Sequence, residues 1–203
     1  MIVVIFVLNF AISWFNAWGC GKTWVETRAN GGLPHFLNWC GAIMSASGFT
    51  WCYLVLASLV GGTIPFEHTV NGATVHAPYL SAQQMQAFAD LGYLVVILPI
   101  LGSGLAITLH SWGVMWRTRT FGSTATSAWN TFAMGENIYS AVSAVPNATR
   151  GLNSFFSDDD EGGSIILLLV AVCVLGGVLT TRAILRSTMR STAFSRSLSY
   201  EQH

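Results

Sequence analysis

Leu91-Gly92-Tyr93-Leu94-Val95-Val96-Ile97-Leu98-Pro99-Ile100-Leu101-Gly102-Ser103-Gly104-Leu105-Ala106-Ile107-Thr108-Leu109 holds no charged side chain and closes on His110. At about 1.5 Å of rise per residue, a helix of this length matches a bilayer hydrocarbon core of roughly 30 Å. Asp90 stands at its entrance. Deep in lipid a carboxylate costs on the order of 2.5–3.5 kcal/mol, so Asp90 is expected at the headgroups, where it costs little. Pro99 removes a backbone hydrogen bond and predicts a bend. Gly102 and Gly104 leave a thin patch just after it.

The rest of the chain fits the same solvent. Of its 203 residues, 52% are hydrophobic and 9% charged. An ordinary soluble domain carries about 25% charged residues. Eight Trp, twelve Phe and five Tyr suit the two membrane–water interfaces. Net charge is zero, which argues against a nucleic-acid partner. Cys20, Cys40, Cys52 and Cys173 lack metal-ligand spacing and are read as small apolar residues.

Three further apolar runs flank the first. The run from Met1 to Trp18 has no Lys or Arg before its apolar part, so it is read as a retained span rather than a signal peptide. A loop over Gly19–His35 follows. Its Gly21-Lys22-Thr23 lacks the earlier glycine and the preceding strand of a phosphate-binding loop. The run from Phe36 to Gly62 carries the small pairs Gly41/Ser45 and Ala42/Ala46, each four apart, which admit a second helix backbone. Ile165–Thr181 is the cleanest run. It leads into Arg182, Arg186 and Arg190 at helical spacing, then Arg196. Such a tail binds anionic headgroups at about 1 kcal/mol per basic residue.

Between the second and third runs, His68-Thr69-Val70-Asn71-Gly72-Ala73-Thr74-Val75-His76 predicts a β-hairpin outside the membrane, turning at Asn71-Gly72. Its register sets Val70 against Ala73, Thr69 against Thr74 and Glu67 against His76. With no third ligand nearby, Glu67/His76 is read as a surface cross-strand pair. His110–Phe121, with Trp112, Trp116, Arg117 and Arg119, is an interfacial boundary. Asp158-Asp159-Asp160-Glu161 lacks the alternating ligands of a calcium loop and is read as a solvated acidic turn.

Residues 122–145 are ambiguous. They carry one charge, Glu136, among Ser, Thr, Ala and Asn, and Trp129, Phe132, Ala133, Tyr139 and Val142 share a helix face. The segment is either an amphipathic helix at the interface or a polar span shielded by neighbours. Charge counting bears on the choice. With four spans, five positive residues face four across the membrane. With five, Lys22, Arg28, Arg117, Arg119 and the four tail arginines share one side, against Arg150 alone. The positive-inside rule favours the second threading, with the C-terminal tail cytoplasmic.

The expected fold is therefore all-α: a polytopic transmembrane helix bundle with spans near 2–18, 36–62, 85–109 and 165–181, a fifth polar or interfacial helix, and a short extramembrane β-hairpin. Residues 1–186 form the bundle and 187–203 a basic, Ser-rich tail. No nucleophile is paired with a base, and no metal or cofactor site is expected. The expected function is a non-catalytic structural, assembly or partner-binding component of a membrane complex. Its partners are the bilayer and a protein, or a second copy, met through Gly41, Ala42, Ser45 and Ala46. Arg182, Arg186, Arg190 and Arg196 are the expected headgroup ligands. The alternative is a pore or transporter using the kinked third span, with Asp90, Pro99, Gly102, Gly104, His110 and Glu136 as its polar or flexible points. An enzyme at the membrane surface is the third and least supported option.

Overall fold

The computed structural model describes residues 2–63, 65–70, 73–78, 80–157 and 162–200. Five helices and one hairpin follow in order: α1 (Ile2–Asn30), α2 (Gly32–Thr63), β1 (Pro65–Val70), β2 (Ala73–Pro78), α3 (Ala82–Thr118), α4 (Phe121–Ser157) and α5 (Gly162–Tyr200). Four of the helices, α1, α2, α3 and α5, are long and apolar enough to cross a membrane.

Two tight connections set the architecture. Gly31 and Gly32 adopt φ of 61° and 54°, a left-handed backbone that glycine enters without a Cβ clash. They fold α2 back on α1. The segment expected as a loop over 19–35 is thus helical on both sides of Gly31. Polarity there reflects the surroundings of the helix rather than its end. The backbone continues until a residue permits reversal, and Asn38 ties the two arms by donating to Cys20 O and Thr27 Oγ1, both at 3.1 Å. The second connection is Arg119-Thr120. Arg119 caps α3 at φ 50°. Thr120 opens α4, its Oγ1 accepting from Ser123 N–H while its own N–H donates to Ser123 Oγ, both at 3.2 Å. So short a link turns α4 back along α3.

Successive helices alternate in direction. Asn9 Nδ2 donates to Gly48 O at 3.1 Å and Ser45 Oγ to Ser13 O at 2.8 Å across α1/α2. Tyr53 and Thr180 hydroxyls meet at 2.8 Å across α2/α5. Tyr93 and Ser140 hydroxyls meet at 2.9 Å across α3/α4, and Ser127 Oγ donates to Ser111 O at 2.8 Å further along. α2 is central, packed on α1, α3 and α5, while α4 lies outermost along α3. One end of the bundle gathers the α1–α2 turn, the α3–α4 turn and the basic half of α5. The other holds the start of α1, the hairpin, the end of α4 and the start of α5.

The interior is built from small and polar residues. Ser13, Ser45, Ser47, Thr50, Ser103, Thr108, Ser111, Ser127, Thr181 and Thr188 are buried, whereas Val3, Phe15 and Leu168 are 69%, 66% and 64% exposed. A protein folded in water buries its large apolar side chains first. Here they face outward and small residues let the backbones approach, the pattern of helices packed in lipid. Where α5 crosses α2, a Cβ on Gly177 would fall 2.6 Å from Ala46 O. Larger side chains fill one cluster near the hairpin end, Leu54, Phe88, Val96, Ile166 and Val170 among them, and a smaller one at Ala17, Phe49 and Ile184.

In the hairpin, β1 and β2 pair antiparallel with Val70 opposite Ala73, Thr69 opposite Thr74 and Glu67 opposite His76. The Asn71-Gly72 turn and the acidic run 158–161 lie outside the described residues.

Candidate functional site

The α3–α4 seam is built on a heptad. Ser127, Met134, Ala141 and Ala148 are buried and spaced seven apart. Ser127 meets α3 at Ser111 and Met134 at Gly104, with Thr108 Oγ1 donating to Asn130 O at 3.3 Å. A Cβ on Gly104 would come 3.2 Å from Met134 Sδ. The aromatic face of α4 points away from α3: Trp129, Phe132, Tyr139 and Val142 are 65%, 61%, 73% and 71% exposed. Glu136 is exposed on that same outward face. Between the Gly104–Met134 and Tyr93–Ser140 contacts, it stands level with the middle of the Leu91–Leu109 run. Among the described residues it forms no hydrogen bond or ion pair.

The third helix does not gather its expected points into one place. Asp90 is half-buried near the start of α3 and accepts from Gln86 Nε2 at 2.8 Å. Pro99 lies within an uninterrupted helix. Gly102 meets open space, whereas Gly104 is a packing position. His110 is half-buried toward the other end, about 30 Å from Asp90 at the rise of an α-helix. Among the described residues no three His, Cys, Asp or Glu side chains come together as metal ligands. No buried side-chain nitrogen or oxygen there lacks a partner.

The small residues of α2 are used within the chain. Ser45 bridges Ser13 of α1 and Thr181 of α5, the latter at 3.3 Å. A Cβ on Gly41 would stand 2.7 Å from Cys20 Sγ. Ala42 and Ala46 turn toward α5, where α1, α2 and α5 leave an open groove of 340 Å³. Its wall is apolar, from Ala42, Ile43 and Val178, and its rim carries Trp39, Arg182 and Arg186. Trp24 closes the α1 side and packs edge-on against Trp39, ring centroids 5.0 Å apart. Arg182, Arg186 and Arg190 are exposed and form no hydrogen bond or ion pair among the described residues, and Arg190 does not line the groove. Arg196 lies further along α5, beyond the described side chains. Lys22, on α1 at the same end, sits 3.6 Å over the Trp18 ring. The arginine spacing is legible in the sequence. The aromatic wall is not, because Trp24 and Trp39 meet only through the Gly31 reversal.

Comparison with protein-family models, with curated proteins and with solved structures finds no match to this chain. Fold and site therefore define a class: an all-helical bundle with four helices apolar enough to cross a membrane. Beside them lies a fifth, more polar helix that packs, among the described residues, mainly on α3.

Proposed function

We propose that the chain is a small integral membrane protein that acts as a non-catalytic assembly or partner-binding component of a membrane complex, and that its partner docks on α4. The observation that carries this is Glu136, exposed on the outer face of α4 level with the centre of α3. In lipid that carboxylate costs on the order of 2.5–3.5 kcal/mol. A partner helix presenting a donor removes the cost, and the flanking Trp129, Phe132 and Tyr139 supply packing area. The antiparallel course of α4 along α3 supports five crossings with the hairpin outside. Eight of the nine Lys and Arg residues then share the cytoplasmic side, where the α5 arginines meet anionic headgroups.

The pore reading draws less support. Several polar groups inside the bundle are spent on hydrogen bonds between helices, Ser45 to Ser13 and Ser127 to Ser111 among them, and Gly104 packs against Met134. The test is purification of the tagged full-length chain from membranes in mild detergent. The wild type is expected to carry a stoichiometric transmembrane partner or a second copy, and Glu136→Leu to lose it while keeping its own fold. A wild-type chain that runs alone as a monomer overturns the proposal.

A further inference from the structure

We propose that the groove between α1, α2 and α5 is a binding site for one anionic phospholipid, with an acyl chain along the apolar wall and the phosphate on Arg182 and Arg186. The inference rests on the chain being membrane-embedded, but not on the partner at α4, which lies across α3 from this groove.

Ala42 and Ala46 of α2 and Val178 of α5 line the groove's wall, and Trp39 of α2 packs on Trp24 of α1 at its border. The result is a channel rather than a flat helix face. Its 340 Å³ falls in the range of small-molecule sites, about 300–1,000 Å³, and its lining is mostly apolar. Along α5 it runs from Val178 to Met189. At about 1.5 Å per residue that is roughly 16 Å, with Arg182 and Arg186 along its length, so the phosphate sits within the groove and the acyl chain leaves it past Val178 toward the apolar half of α5.

Charge selects the occupant. Arg182 and Arg186 stand one turn apart on the rim, and neither has a partner among the described residues. Among the described residues no carboxylate lines the groove. Guanidinium groups recognise phosphate through paired donors, and indole rings favour the headgroup level. A zwitterionic lipid brings a cation into the same space and is disfavoured. A free phosphate leaves the apolar channel empty.

The full-length protein, purified in mild detergent, is titrated with phosphatidylglycerol, phosphatidylcholine or glycerol phosphate and read by native mass spectrometry. We expect one tightly retained phosphatidylglycerol per chain, weak phosphatidylcholine and no glycerol phosphate. Arg182→Gln with Arg186→Gln should lower phosphatidylglycerol affinity about thirtyfold, at about 1 kcal/mol per charge. Ile43→Trp, which fills the channel and leaves both arginines, should displace the lipid. Arg190→Gln, one turn beyond the rim, should change affinity less than twofold. Equal losses from Arg190→Gln and Arg182→Gln, or an Ile43→Trp chain that binds normally, would reduce the effect to general surface attraction and overturn the proposal. So would binding of glycerol phosphate as tight as that of the lipid. A chain that stays soluble without detergent instead sinks the membrane reading itself, which separates the two failures.

Discussion

Ser127 Oγ of α4 donates to the carbonyl oxygen of Ser111 on α3 at 2.8 Å, in a buried seam. That contact, with Gly104 against Met134, holds a polar helix along an apolar one. Interhelical bonds of this kind contribute about 0.6 kcal/mol and reach about 1.7. Ser127→Ala should therefore lower stability by roughly that range, measured by SDS-driven unfolding in mixed micelles.

Gly104→Val should be worse. Its side chain meets Met134 Sδ, and overpacking costs about 1–3 kcal/mol. Adding Met134→Ala should recover part of the loss, because it empties the space the valine needs. A double variant no more stable than Gly104→Val would show that these residues are not coupled.

Gly177, buried where α5 meets α2, and Gly102, exposed on α3, make a contrasting pair. Gly177→Ala forces a Cβ toward Ala46 O, 2.6 Å away, and should cost about 1–3 kcal/mol. Gly102→Ala meets nothing within 4 Å and should be neutral or gain up to about 1 kcal/mol of helix propensity. Thermal unfolding in one detergent compares them directly.

The threading has its own test. In a background lacking the four native cysteines, single cysteines replace Thr118, Asn153 and Ser191, and sealed vesicles are treated with an impermeant maleimide. Five crossings place Thr118 and Ser191 on one side and Asn153 on the other. If Asn153 labels together with Thr118, α4 does not cross.

Glu136→Gln separates charge from hydrogen bonding on the α4 face. Among the described residues Glu136 forms no hydrogen bond or ion pair, so the substitution breaks no contact within the chain and its own fold should be kept. Partner retention should fall less than with Glu136→Leu, since the amide still offers a polar contact. Equal partner recovery in wild type, Glu136→Gln and Glu136→Leu would remove the residue from the interface.

Much of this was legible in residue order, and the gaps have physical causes. The apolar runs report which segments lipid accepts, and the helices α1, α2, α3 and α5 contain them. They do not report where a helix stops. The stretch from Gly19 to Asn30 is polar enough to read as loop yet stays helical, because nothing before Gly31 reverses the backbone. The aromatic positions of α4 were visible as a stripe. That they face outward, leaving Ser127, Met134, Ala141 and Ala148 to make the seam, depends on what lies beside them.

Composition and spacing alone determined which segments are apolar enough to cross a membrane and the concentration of positive charge in a few segments, because hydropathy is nearly a sum over residues. Tertiary structure decided which small residues touch, that α4 lies along α3, and that Trp24, Trp39, Arg182 and Arg186 border one groove. Those facts come from side chains far apart in the chain, and packing between helices depends on shape and register rather than on any sum along the sequence.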